Sequence, residues 1–130
     1  MHQPNEGLEL LYTRDCTAWP ETLENLRAAL TQLELEIEPK LVAIDTLEQA
    51  HEYNFFASPT VHVDGVDVDP KARRVSRRNL GVGRPYFFQG RSYPVPPTPF
   101  LIQELRELYL RPAETEDTLT RPETPRTLQT

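Results

Sequence analysis

The stretch FFASPTVHVDGVDVDP, residues 55–70, gives the clearest indication of the fold. Its β-branched run at Thr60–Val63 follows Pro59, and a proline is accepted at the start of a strand because no ladder hydrogen bond needs its nitrogen there. Asp64-Gly65 is a signal for a two-residue turn, after which residues 66–68 continue as a second strand. The stretch therefore predicts an antiparallel hairpin that begins at Thr60.

The chain before this hairpin alternates between short apolar runs and helical patterns. LELLYT (8–13) and KLVAI (40–44) predict buried strands. Between them, steps of four and three residues predict one apolar stripe on a helix that runs from close to Cys16 to about Leu33. The stripe consists of Trp19, Leu23, Leu26, Leu30 and Leu33. Thr46 and Gln49 form a capping-box pattern, which predicts a short helix to about Asn54.

After the hairpin, RPYFF (84–88) is a strand candidate. Thr98 is predicted to cap a final helix with Pro99 at its first position. A strand, helix, strand order gives a parallel pair with a right-handed crossover, and the hairpin adds antiparallel strands. We therefore expect an α/β fold with a parallel pair of strands, an antiparallel hairpin and helices on both faces.

The end of the sequence has a different composition. Among residues 112–130, Leu119 and Leu128 stand alone between Thr, Pro and Glu. So little apolar material cannot offset the entropy of ordering the chain. We expect one domain over residues 1–111 and a disordered tail over residues 112–130.

Charge is distributed unevenly along the chain. The net charge is −6, but residues 1–70 hold 14 acids and 3 bases, whereas residues 71–91, called the basic segment below, hold 7 bases and no acid. The overall charge argues against nucleic-acid binding. The basic segment is either a solvated loop or a cradle for a carboxylate, such as that of glutathione, or for an acidic partner.

Several classes of protein are excluded or disfavoured. No run of about 18 apolar residues is present, so we expect no membrane span. The single cysteine, Cys16, cannot form an internal disulfide or a four-thiolate metal site. The start MHQPNEG lacks the features of a secretory signal, and we expect a cytoplasmic protein with no cofactor. The sequence leaves the oligomeric state open.

The polar residues of the hairpin do not predict a metal site. Asp64, Asp67 and Asp69 lie around a turn, where we expect a solvated edge rather than a metal centre. His62 alternates with Val61 and Val63, so it is predicted to point outward from its strand.

Cys16 is the candidate nucleophile. It lies between a buried strand and a helix start, where unpaired N–H groups and the positive helix end favour a thiolate. Asp15 opposes this effect and Arg14 supports it. A small buried cysteine without chemistry fits the same position, and both interpretations stay open from the residues alone.

Three stretches together resemble the thioredoxin-like superfamily, and most closely its small bacterial members with one cysteine after the first strand, some loosely described as alkylmercury-lyase-like. The stretches are LELLYTRDCTAWPETLENLRAAL (8–30), FFASPTVHVDGVDVDP (55–70) and GRSYPVPPTPFLIQELREL (90–108). The resemblance implies a thioredoxin-like fold, with a central four-stranded mixed sheet flanked by helices. It also implies that Cys16 is the nucleophile and that Pro59 is a cis proline facing it. From the residues alone, an ordinary trans proline is favoured, since cis bonds are about 5–6% of X–Pro bonds.

The resemblance also implies a substrate site. In such folds an extended substrate pairs with the backbone beside the cis proline, a role that falls here to Ser58, with Thr60 and Trp19 as neighbours. The superfamily's usual CxxC pair is absent, because Trp19 stands at its second position. Relatives carry another cysteine just before the strand that matches RPYFF, where this chain has Gly83.

Three functions therefore remain open. The first is a monothiol thiol–disulfide oxidoreductase, in which Cys16 acts on a protein or small-molecule disulfide and an external thiol resolves the product. The second is a degenerate thioredoxin-like binding module without redox activity. The third, suggested by the relatives' descriptions alone, is a thiol that binds a soft metal or an organomercurial.

Overall fold

The computed structural model describes residues 3–110, and the predicted tail, 112–130, lies outside them. Three α-helices and eight short strands occur within this range. In chain order these are β1 (Leu8–Tyr12), α1 (Trp19–Gln32), β2 (Lys40–Ala43), α2 (Leu47–Glu52), β3 (Ala57–Ser58), β4 (Thr60–Val63), β5 (Val66–Asp67), β6 (Gly81–Val82), β7 (Tyr86–Phe88), β8 (Arg91–Tyr93) and α3 (Thr98–Tyr109). A 3-10 turn at Pro70–Ala72 follows β5.

The main sheet has four strands in the order β2-β1-β4-β5. β1 is parallel to β2 and antiparallel to β4, so Leu10 faces Leu41 on one side and Val61 on the other. β4 and β5 form the expected hairpin, and the turn residues Asp64 and Gly65 have φ angles of 50° and 82°, as its left-handed turn requires. The prediction of a mixed α/β chain with a four-stranded mixed sheet is confirmed.

Helices cover both faces of the sheet. The larger core cluster contains alternate residues of β1 and β4, such as Leu10 and Val61, together with apolar residues of α1 and α3. The smaller cluster lies on the opposite face and consists of Leu11, Ile44, Ala50 and Phe55. Alternation of side chains along a strand places Leu10 and Leu11 on these two faces.

The ends of two helices differ from the predictions. α1 begins at Trp19, because residues 13–16 first make a turn in which the Cys16 amide donates to the Thr13 carbonyl. The prediction that Thr98 caps the final helix is wrong. Thr98 is already the first helical residue, since the carbonyl of the extended Pro97 accepts the first helical hydrogen bond, from Leu101.

The basic segment is more ordered than a solvated loop. β6 pairs in parallel with β3, which lies directly before β4. β7 and β8 form a hairpin outside the main sheet. The segment therefore folds back against the end of the sheet. Within residues 3–110, none of the helices combines the length and the apolar character needed to cross a bilayer.

Candidate functional site

Cys16 lies in the turn between β1 and α1. Its amide donates to the Thr13 carbonyl at 3.1 Å, which fixes the turn three residues before α1 begins. Cys16 is 4% exposed, whereas Leu10 and Leu11 of the adjoining strand are at 0%. Cys16 is therefore largely buried, with a small part of the residue open to solvent.

Tyr86 is hydrogen-bonded to Pro59. The Tyr86 side chain is fully buried, and its hydroxyl donates a hydrogen bond to the Pro59 carbonyl. Burial raises the pKa of Tyr86. The Ser58–Pro59 peptide bond is cis, as the resemblance implies.

The backbone of Ser58 is already paired. Ser58 is fully buried, it lies opposite Val82 in the β3–β6 ladder, and its carbonyl accepts a hydrogen bond from the Arg84 amide at 3.2 Å. The position that the resemblance assigns to an extended substrate is therefore paired here with residues 81–84 of the same chain.

The side chains of Thr60 and Trp19 are also engaged. The Thr60 hydroxyl donates to the Ala57 carbonyl at 2.6 Å and accepts from Arg84 Nη1 at 2.9 Å. Trp19 stacks on Tyr12 with the ring centroids 4.5 Å apart, and it packs against the larger core cluster. Both side chains stabilise the walls of the site in this conformation.

Two buried hydroxyls near this turn have no hydrogen-bond partner among residues 3–110. They belong to Ser58 and to Thr13, whose carbonyl accepts the Cys16 amide. A buried polar group left unpaired costs about 1–3 kcal/mol, so such groups are rare without a functional reason. Sequence analysis missed Thr13, since a threonine at a strand end carries no distinctive pattern.

Arg84 forms a buried ion pair with Asp67. Its two terminal nitrogens each lie 2.9 Å from a carboxylate oxygen of Asp67, and Asp69 is 3.8 Å away. The guanidinium also stacks on Phe56 and Tyr86, at 5.0 and 4.5 Å from the ring centroids. Burial alone would lower the pKa of Arg84, but Tyr86, Asp67 and Asp69 together reverse this and raise it. Arg84 therefore stays charged inside the protein.

This ion pair corrects the expectation of a solvated edge at Asp67 and Asp69, whereas Asp64 at the turn is exposed as expected. Asp67 and Asp69 are both buried, because the basic segment folds over this end of the hairpin and brings Arg84 to them. Within the described part of the chain, no group of three or more metal-ligating side chains is close enough to hold a metal ion.

The prediction that His62 points outward is wrong. Its side chain lies on the face of the strand opposite to the side chains of Val61 and Val63, as alternation requires. This face is covered as well, and His62 is only 2% exposed. Its Nε2 lies 3.9 Å from a carboxylate oxygen of Asp67, and its Nδ1 has no hydrogen-bond partner among the described residues. Burial, with help from Arg84 and Arg78 and against Asp67, lowers the pKa of His62 to about 4. His62 is therefore neutral at pH 7.

The structure therefore contains two candidate sites for chemistry. One is the turn that holds Cys16, and the other is the buried polar cluster around Arg84. Comparison of the chain with protein-family models, with curated proteins and with solved structures finds no match.

Proposed function

We propose that this chain is a thioredoxin-like protein that exchanges thiols and disulfides through Cys16 alone. The observation that carries the proposal is the place of Cys16 in the turn between β1 and α1, which is the position that the resemblance assigns to the nucleophile. The mixed four-stranded sheet with helices on both faces is consistent with such a fold.

The reaction needs two external sulfur compounds. The Cys16 thiolate attacks one sulfur of a substrate disulfide, the S–S bond breaks, and the other sulfur leaves as a thiolate that takes a proton from water. A small thiol such as glutathione then attacks the substrate sulfur of the mixed disulfide, which releases Cys16 and forms a new disulfide. With one cysteine in the chain, no internal thiol can perform this second step.

Thr13 is a positioning residue in this proposal. Its carbonyl accepts the Cys16 amide, and its buried hydroxyl has no hydrogen-bond partner among the described residues, Cys16 included. A hydroxyl that donates to a thiolate favours the charged, reactive form of sulfur. We expect Thr13→Val to slow disulfide exchange more than Thr17→Val, which alters an exposed side chain in the same turn.

The test is a full exchange cycle on the intact chain. Oxidised glutathione is added at neutral pH, and the mass of the native protein is measured before and after addition of reduced glutathione. We expect one glutathione per chain, its release by reduced glutathione, and no adduct in Cys16→Ser. An adduct that forms in denaturant but not in the native protein would refute the proposal.

A binding module without chemistry is the second candidate. It is favoured by the limited exposure of Cys16 and by the pairing of Ser58 with residues 81–84, which closes the expected substrate edge. If this candidate is right, Cys16→Ser leaves the thermal stability and the amide spectrum of the protein unchanged, and the wild type forms no mixed disulfide.

A further inference from the structure

A cavity lies away from Cys16, between the β4–β5 hairpin and the first half of the basic segment. Its volume is about 360 Å³, and its lining includes Asn54, His62, Arg73 and Arg78. A volume of this size lies within the range of small-molecule sites. The Cys16 proposal does not use any of these residues.

Arg73 and Arg78 make the rim of the cavity positively charged, and hydrogen bonds hold both side chains. Arg78 donates from Nη1 to the carbonyls of Val75 and Arg77, at 2.9 and 2.8 Å, and from Nη2 to Asn54 Oδ1 at 3.3 Å. Arg73 donates through Nε to the Asp67 carbonyl at 2.7 Å, which leaves its two terminal nitrogens available. Guanidinium groups held in this way are prepared to bind an oxyanion.

The acidic residue in the lining does not cancel this charge. Asp67 borders the cavity, but both of its carboxylate oxygens are bound by Arg84. Arg73 and Arg78 have no carboxylate partner within residues 3–110, so their charges remain to be met by a ligand. The basic segment as a whole carries seven cationic side chains and no acidic one.

His62 forms a neutral part of the cavity lining. Burial lowers the pKa of its ring to about 4, so the ring carries no charge at pH 7. Its Nδ1 has no partner among the described residues, but this atom is closed to solvent, so a ligand in the cavity does not reach it. The charge offered to a ligand therefore comes from Arg73 and Arg78.

We infer that this cavity binds a small oxyanion, with the anion on Arg73 and Arg78. A small carboxylate and an inorganic phosphate both meet this description. The site is independent of the proposed thiol exchange, and either proposal can fail without the other.

The first experiment compares four anions on the wild-type protein. L-Malate and succinate are the carboxylate probes, and inorganic phosphate and sulfate are the tetrahedral probes. Binding is followed at pH 7 and constant ionic strength, set with chloride, through the arginine Nε–H signals in nitrogen-15 NMR spectra. We expect at least one of these anions to shift the Arg73 and Arg78 signals saturably.

The second experiment locates the site. We expect Arg73→Met to weaken binding of the preferred anion about tenfold, as loss of a charged hydrogen bond does. Arg74→Met is the matched control, because Arg74 is an exposed neighbour outside the cavity lining, and it should change affinity less than about twofold. Arg78→Met is a second test once its thermal stability and amide spectrum show a native fold.

Two results would overturn the inference. The first is an absence of saturable shifts with all four anions. The second is equal weakening by Arg73→Met and Arg74→Met, which indicates diffuse attraction to the basic segment.

Discussion

At the scale of single residues, Arg84 is the residue on which the basic segment depends most. It joins three parts of the chain, since its side chain binds Asp67 and Thr60 and its amide binds the Ser58 carbonyl. Removing one partner of a buried ion pair leaves the other charge uncompensated, whereas removing both is far less costly.

We predict that Arg84→Met lowers the free energy of unfolding by about 3–5 kcal/mol, because Asp67 is left buried without its partner. Urea denaturation monitored by circular dichroism measures this change. Arg91→Met, at an exposed position of the basic segment, is the control and should be close to neutral. Adding Asp67→Asn to Arg84→Met should recover part of the loss, and a further loss of similar size would contradict this view of the pair.

His62 makes stability depend on pH in a defined direction. Its pKa is lowered from 6.5 to about 4 in the folded protein, so the unfolded chain takes up the proton first as the pH falls. We predict that the free energy of unfolding decreases between pH 6.5 and pH 4, by roughly 3 kcal/mol from this residue. The charged and titratable groups around His62 are Glu9 on β1, Asp67 on β5, Arg78 and Arg84.

The control for this prediction is His62→Leu, which keeps an uncharged side chain at the position. Urea midpoints measured from pH 7 to pH 4 should fall less steeply in this variant than in the wild type. Parallel curves for the two proteins would show that His62 does not carry the pH dependence.

At the scale of elements, β6 closes the edge at which an extended substrate is expected. It is held against β3 at very short range, because a Cβ added at Gly81 would meet the Phe56 carbonyl oxygen at 2.8 Å and the Ala57 Cβ at 3.2 Å. Only glycine allows this approach of two backbones.

We predict that Gly81→Ala loosens β6 from β3 and speeds hydrogen exchange of the Arg84 amide, which is bonded to the Ser58 carbonyl. Val82→Ala is the matched control, since that side chain is half exposed and its loss leaves the backbone contact intact. Unchanged exchange in Gly81→Ala would show that β6 is not held by this close contact.

Elements with local causes were predictable from the sequence. The capping box of Thr46 and Gln49 and the turn at Asp64-Gly65 are present because their interactions lie within a few residues of each other. The ladder of β3 with β6 was not predicted, since two-residue strands have no periodicity to detect.

The site was predictable in part, for the same reason. The resemblance indicated Cys16 and the cis bond at Pro59, but it did not indicate Tyr86, whose hydroxyl reaches a carbonyl 27 residues away. The burial of His62 and Asp67 was missed because it depends on Arg84, which is 17 residues beyond Asp67. Long-range partners of this kind leave no local pattern in a single sequence.

At the scale of the whole molecule, charge complementarity joins the two unlike parts of the chain. Residues 1–70 have a large excess of acids, and the basic segment that follows supplies the cation bound by Asp67. Tyr86 of that segment also belongs to the larger core cluster, next to Phe100. The basic segment is thus part of the folded domain.

Residues 113–130 are expected to add little to that domain, since Leu119 and Leu128 are their only large apolar side chains. We predict that deleting them leaves the melting temperature nearly unchanged in differential scanning calorimetry. A fall of several degrees would show that they contribute to the folded state.

The central claim is that Cys16 of the folded protein is a reactive thiol, and its alkylation rate tests this most directly. The rate with iodoacetamide is measured at neutral pH for the native chain, for the chain in denaturant and for free glutathione. The account predicts that native Cys16 reacts faster than both reference thiols, in proportion to reagent concentration. A native thiol that is protected until the chain unfolds would contradict it and identify Cys16 as part of the core.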